Sequence, residues 1–179
     1  MIRNPKGAVA WWRDLQPDAE KGRAGDRAAL ARLRRCATVA EAMQDRATID
    51  FFRRVGATGP DDLPAAALAA AILARVRRDE PGKLVARQIG PDSPDKPETA
   101  ILKPLRFRRL MEASTDDERM IAFRRLIAIA GDALNVSDLA ESLLHWTEDR
   151  RRRWVYDYWN AGAPIAQDNA QPTTKETTP

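Results

Sequence analysis

The chain has 179 residues, 44% of them hydrophobic and 31% charged, which suits one domain or two small helical bundles and is too apolar for a disordered chain. Its net charge is +4 with a pI near 9.6, and its 30 basic residues are 24 Arg against 6 Lys. The single cysteine, Cys36, excludes an internal disulfide framework, and with one histidine, His145, it leaves no ordinary zinc ligand set.

Strong helix formers (Ala, Leu, Arg) dominate and β-branched or aromatic runs are absent, so the expected fold class is all-α. A short helix is expected over 8–15, ending before Pro17. A second starts at Asp26, a good N-cap, and runs through Arg34 and Arg35 to about Ala37. Thr38 caps a third that carries Ile49, Phe51 and Phe52 and stops at Gly56. After the Gly59-Pro60 turn, Pro64 suits the first turn of a fourth helix, which continues through Arg78.

The segment 79–97 holds Pro81, Gly82, Gly90, Pro91, Pro94 and Pro97 without sustained periodicity, and reads as a long loop dividing an N-terminal bundle (1–78) from a C-terminal one (98–160). A fifth helix is expected from Glu98 or Thr99 to Ala113, with Pro104 as the alternative start. A sixth covers 116–130, with Met120, Phe123, Ile127 and Ala130 on one face, and ends at Gly131. Ser137 is expected to cap a long last helix reaching Asn160. The Pro-, Gln- and Thr-rich tail, 161–179, is expected to be disordered. No apolar run approaches the roughly 20 residues of a membrane span, and the first residues lack the apolar core of a signal peptide. A cytoplasmic location is the expectation.

No catalytic constellation is recognisable. Ser93, Ser114, Ser137 and Ser142 lie in no nucleophile motif, and no Gly-rich phosphate loop is present. Acidic pairs such as Asp116-Asp117 and Glu148-Asp149 fall at helix starts, where they complement the helix dipole. The arginines say more. Arg27 and Arg34 are seven residues apart and share a helix face about two turns from each other. Lys103, Arg106 and Arg109 spread over an arc beside the stripe of Phe107, Leu110 and Met111, while Arg124 and Arg125 sit on the next helix. Four consecutive arginines, Arg150 to Arg153, cannot all face one way, so one or two should pack on the aromatic cluster Trp154 to Trp159. Such cations on four helices can form a basic track that reads a phosphate backbone and no sequence. Trp11 and Trp12 are suited to the core, or to stacking on single-stranded bases.

The order of these motifs resembles one family. Gly25-Asp26-Arg27-Ala28-Ala29-Leu30-Ala31-Arg32-Leu33-Arg34-Arg35 is similar to the opening arginine helix of CasB proteins, the small subunits of the type I-E CRISPR Cascade complex. Arg106-Phe107-Arg108-Arg109-Leu110-Met111 resembles the next family helix, and Phe123-Arg124-Arg125-Leu126-Ile127 follows at the usual distance. Val136, Leu139, Leu143, Trp146, Arg151 and the segment from Trp154 to Trp159 resemble the family's C-terminal helix. The similarity spans roughly 8–160, leaving out the 79–97 loop and the tail.

That resemblance implies an elongated, non-catalytic helical module of two packed bundles, without cofactors and present as two copies in Cascade. Its implied partners are the other Cascade subunits, the guide RNA, the target DNA and a second copy of itself, with a basic surface that helps hold the R-loop open. Carried over by position, Arg27, Arg34, Arg35, Lys103, Arg106, Arg124, Arg125 and Arg151 are the implied phosphate contacts, and Arg109 joins them by local charge. Arg35 and Arg125 also suit a bridge between helices. The rival readings are a helical protein-interaction adaptor and a small DNA-binding regulator, although the chain shows no clear helix–turn–helix.

Overall fold

A computed structural model describes residues 4–18 and 20–163; the expected disordered tail lies, from residue 164 on, outside the described residues. Helix starts follow local side-chain caps. Asn4 accepts from the Gly7 N–H to open α1 (Pro5–Leu15), and Asp26 accepts from Ala29 at 2.8 Å to open α2 (Arg27–Arg35). Thr38 caps α3 (Val39–Met43), and Asp45 caps α4 (Arg46–Arg54). α5 (Leu63–Leu73) carries Pro64 in its first turn and stops at Ala74. The rest are α6 (Val85–Ile89), α7 (Pro104–Glu112), α8 (Asp116–Ala130), α9 (Val136–Leu144) and α10 (Glu148–Tyr158). Thr115 and Glu118 form a reciprocal capping box at the start of α8.

Among the described residues the architecture is all-helical apart from one parallel strand pair, β1 (Arg78–Asp79) with β2 (Ala133–Leu134). The axis of the fold is α5. Every residue from Ala66 to Leu73 is fully buried, as befits a helix that is apolar all round. Its alanines let α2, α3, α4, α8 and α9 pack against it. The helices before and after 79–97 share one core, running from Ala8 to Tyr158. Trp11 and Trp12 belong to it: both are buried, and their indole N–H groups donate to the carbonyls of Ala47 (3.0 Å) and Val76 (2.9 Å). They are core anchors and offer no stacking platform.

A second set of contacts fixes α7. Tyr158 stacks on Phe107 with ring centroids 3.8 Å apart, and its hydroxyl donates to the Leu102 carbonyl at 2.6 Å. Gly90 permits this by close approach, since a Cβ there would lie 2.0 Å from the Tyr158 carbonyl oxygen. Nearby, Phe123, Trp146 and Trp154 meet edge-on, and the Trp154 indole donates to Ser142 Oγ.

Several boundaries differ from the sequence reading. The expected helix over 38–56 is two helices, because Asp45 turns out of the helical conformation and caps α4 with its carboxylate. The fourth helix ends at Leu73, not Arg78, and Arg78 and Asp79 enter the strand pair. The 79–97 segment is not wholly a loop: it contains α6, whose first N–H, Val85, donates to Asp138 at 2.7 Å. α7 starts at Pro104, the alternative start, while Glu98 and Thr99 sit in a 3-10 turn. The last helix is divided at His145–Thr147, where Thr147 caps α10, and Asn135 rather than Ser137 caps α9.

Candidate nucleic-acid interface

The structure gathers the singled-out cations into two regions and leaves two of them apart. The first region runs along α2, from its start at Arg27 to its C-terminal end, where α2 and α5 meet α8. Arg27 is exposed and lines an open groove of about 410 Å³ with Gln16, Pro17, Leu30, Arg34 and Arg77. Arg34 and Arg124 are half-buried. The Arg34 Nε donates to the Ala74 carbonyl at 2.7 Å, and Arg124 donates to the Cys36 carbonyl. Burial lowers the pKa of both guanidinium groups, with the charge of Arg77 adding to the effect at Arg34. Both remain charged at any ordinary pH.

The second region is the groove between α7 and α8, about 450 Å³. Its floor is aliphatic (Leu102, Leu110, Ala122, Ala128 and Ile129), and Arg106, Arg109 and Arg125 form its rim. All three are exposed. Exposed Lys103 stands at the start of α7, its ammonium donating to the Glu98 carbonyl. Arg35 is exposed and Arg151 half-buried, and neither lines these grooves.

Charge pairing separates these cations from many others. Among the described residues none of the nine is in an ion pair. By contrast, Arg32 pairs with Asp45 at 2.8 Å, Arg54 with Asp14 and Asp50, and Arg119 with Asp116. Within the run of four arginines, Arg150 pairs with Glu141, Arg152 with Asp149 and Arg153 with Asp157, which leaves Arg151 without a carboxylate. An unpaired cation offers its full charge to an arriving phosphate; a paired one must first give up its carboxylate. Arg13, Arg46 and Arg53 are also unpaired, so position as well as pairing defines the set.

Arg35 and Arg125, which suited a helix bridge as well as a phosphate contact, make no hydrogen bond or ion pair to another helix among the described residues. The bridging arginines are Arg34, Arg124 and a residue the sequence reading missed, Arg75. Arg75 is half-buried just beyond α5 and donates to the Arg34 carbonyl. No local pattern marked it: Arg75 lies in the turn that ends α5, and its partner comes from α2. Among the described residues no group of three or more His, Cys, Asp or Glu could hold a metal ion, and no helix is long and apolar enough to cross a membrane.

The chain matches a family model, CRISPR-associated protein Cse2, over residues 29–159. A chain in the crystal structure of E. coli Cascade bound to a PAM-containing dsDNA target superposes with a TM-score of 0.61 at 19% identity, covering 86% of this chain and 97% of that one. A CRISPR-associated protein of the Cse2 family from Thermus thermophilus gives a TM-score of 0.64 at 22% identity, covering 89% and 99%. A structure of CasB from Thermus thermophilus gives the same values. At such identities the likeness is one of fold. No curated protein matches the chain.

Proposed function

The chain belongs to the CRISPR-associated protein Cse2 family, and from that premise we propose that it is the non-catalytic small subunit of a Cascade-type, guide-RNA-loaded complex. In this role it joins the other Cascade subunits and a second copy of itself, and contacts target DNA and guide RNA through their backbones. Arg27, Arg34, Arg35, Lys103, Arg106, Arg109, Arg124, Arg125 and Arg151 are its phosphate contacts. The observation that carries this reading is that among the described residues these cations, on or at the start of α2, α7, α8 and α10, have no carboxylate partner, whereas Arg32, Arg119, Arg150, Arg152 and Arg153 on α2, α8 and α10 do.

The energetics suit such a role. Exchanging DNA pairing for RNA–DNA pairing is nearly balanced, so a few backbone contacts decide whether the opened duplex persists. Each contact releases counterions and reads no base.

The test is binding of the full chain to single-stranded DNA across salt, with Arg106, Arg109 and Arg125 all changed to Ala. Losing three phosphate contacts lowers the salt slope by about 2, at roughly 0.7 per contact on a single strand. An unchanged slope and affinity would remove the α7–α8 groove from the interface. One observation favours the adaptor reading: Leu105 and Ile121, on the same two helices, are 58% and 45% exposed, as an apolar docking face requires. That reading expects the triple variant to lose a protein partner and to keep its DNA affinity.

A further inference from the structure

Arg34, Arg75 and Arg124 converge on one junction, tied together by backbone carbonyls. Arg75 donates to the Arg34 carbonyl, Arg34 to the Ala74 carbonyl and Arg124 to the Cys36 carbonyl. These acceptors lie at the C-terminal ends of α2 and α5, where helix carbonyls lack intrahelical partners. Capping explains one donor per arginine, but each guanidinium carries five. The Nε–H groups of Arg75 and Arg124 are buried and have no partner.

Nor is any of the three charges held in an ion pair. No carboxylate lies within ion-pairing distance of any of the three among the described residues. The nearby acids, Glu41 and Asp117, are occupied in accepting from the N–H groups of Ala37 and Val39, both at 2.7 Å. At Arg75 the charges of Arg124 and Arg34 add to burial in lowering the pKa, whereas at Arg124 burial lowers it and the nearby Cys36, Glu41 and Asp117 act in the opposite sense. Three like charges held together, half out of water and with spare donors, form a surface that an anion stabilises.

We propose that Arg34, Arg75 and Arg124 form a preformed seat for one phosphodiester of a nucleic-acid strand, with Arg75 at its centre. The proposal rests on the nucleic-acid reading above and adds Arg75, together with a division of labour. The half-buried seat fixes the register of the strand at one phosphate, and the exposed α7–α8 arginines attract the backbone around it. A free polyphosphate carries the same oxygens, so the test includes both sources.

The experiment is NMR of the arginine Nε–Hε signals of the full chain, titrated with a short oligothymidylate and, separately, with inorganic pyrophosphate. The seat predicts that the oligonucleotide shifts the Arg75 and Arg124 signals at concentrations where pyrophosphate leaves them unmoved. Shifts with pyrophosphate alone, or with neither probe, overturn the assignment. The accompanying variant is Arg75→Gln, which removes the charge and keeps a shorter amide donor. It should lose about ten-fold in oligonucleotide affinity, as befits one charge-assisted contact, and its ligand-free melting temperature should hold or rise because like-charge repulsion is relieved. A lower melting temperature with unchanged affinity would make Arg75 a helix staple only. Arg75→Lys, which keeps the charge and loses the fork, repeats the affinity test if the glutamine variant folds poorly. Affinity lost in the Arg106, Arg109 and Arg125 triple variant but kept in Arg75→Gln would overturn the seat and leave the broader interface standing.

Discussion

Tyr158→Phe probes the joint that holds the basic face of α7 in place. Tyr158 is fully buried, its ring stacked on Phe107, and its hydroxyl donates to the Leu102 carbonyl at 2.6 Å. Phenylalanine keeps the stack and deletes only the donor, leaving the buried Leu102 carbonyl short of a partner. That loss costs about 2 kcal/mol, within the range for a buried unsatisfied acceptor, and lowers Tm by roughly 4–8 °C in a chain of this size.

The same hydroxyl predicts an alkaline signature. Burial pushes the Tyr158 pKa from 10.0 up to about 12. The folded state therefore holds this proton more tightly, so its contribution is complete below pH 10 and is lost as pH rises through about 12. Two pH units correspond to about 3 kcal/mol. Thermal melts followed by circular dichroism, at neutral pH and then stepwise toward pH 12, measure both effects. The phenylalanine variant should melt lower at neutral pH and lose less stability on the way to pH 12. Equal melting temperatures and equal alkaline slopes for the two proteins would refute the role given to this hydroxyl.

Gly90→Ala drives a Cβ into backbone, 2.0 Å from the Tyr158 carbonyl oxygen. It should cost about 3 kcal/mol, read as a lower urea midpoint, and a midpoint equal to that of the parent would contradict the close approach. Asp45→Ala removes the cap of α4 and the partner of Arg32, and should cost about 1 kcal/mol at neutral pH. Burial raises the Asp45 carboxyl, but the hydrogen bonds from Arg32 and the Ala47 N–H outweigh it and hold its pKa below 3.8. That stabilisation is present above pH 4 and is lost as pH falls through the folded value. Parent and variant should therefore converge in acid melts, and a gap that stays constant into strong acid would rule this out.

The parts of the fold legible in the sequence were those decided locally. Asp26 and Pro64 mark helix starts by chemistry that acts within one turn, and α2 and α5 begin at or beside them. The hidden breaks were also caps, Asp45 and Thr147, but apolar periodicity continued across them and masked the interruption. α6 and the strand pair depend on distant partners: Asp138 holds the start of α6, and Ala133 and Leu134 lie across from Arg78 and Asp79. No local pattern announces such contacts. At the site the arginines were legible, but their surroundings were not. Arg34 and Arg35 look alike in the string; the fold half-buries one against Ala74 and leaves the other in solvent. Arg75 was passed over because it read as the polar end of an alanine helix. Its meaning emerges only when α2 and α8 are set beside it.

The central claim is that this chain stabilises target DNA within a guide-loaded complex. The most direct test is the target-DNA affinity of the cognate Cascade complex, loaded with guide RNA and assembled with and without this chain. The account predicts that the chain is incorporated, that DNA binds more tightly and that the R-loop lives longer when it is present, with the gain shrinking as salt rises. A complex that excludes the chain, or holds its target equally well without it, would contradict the account.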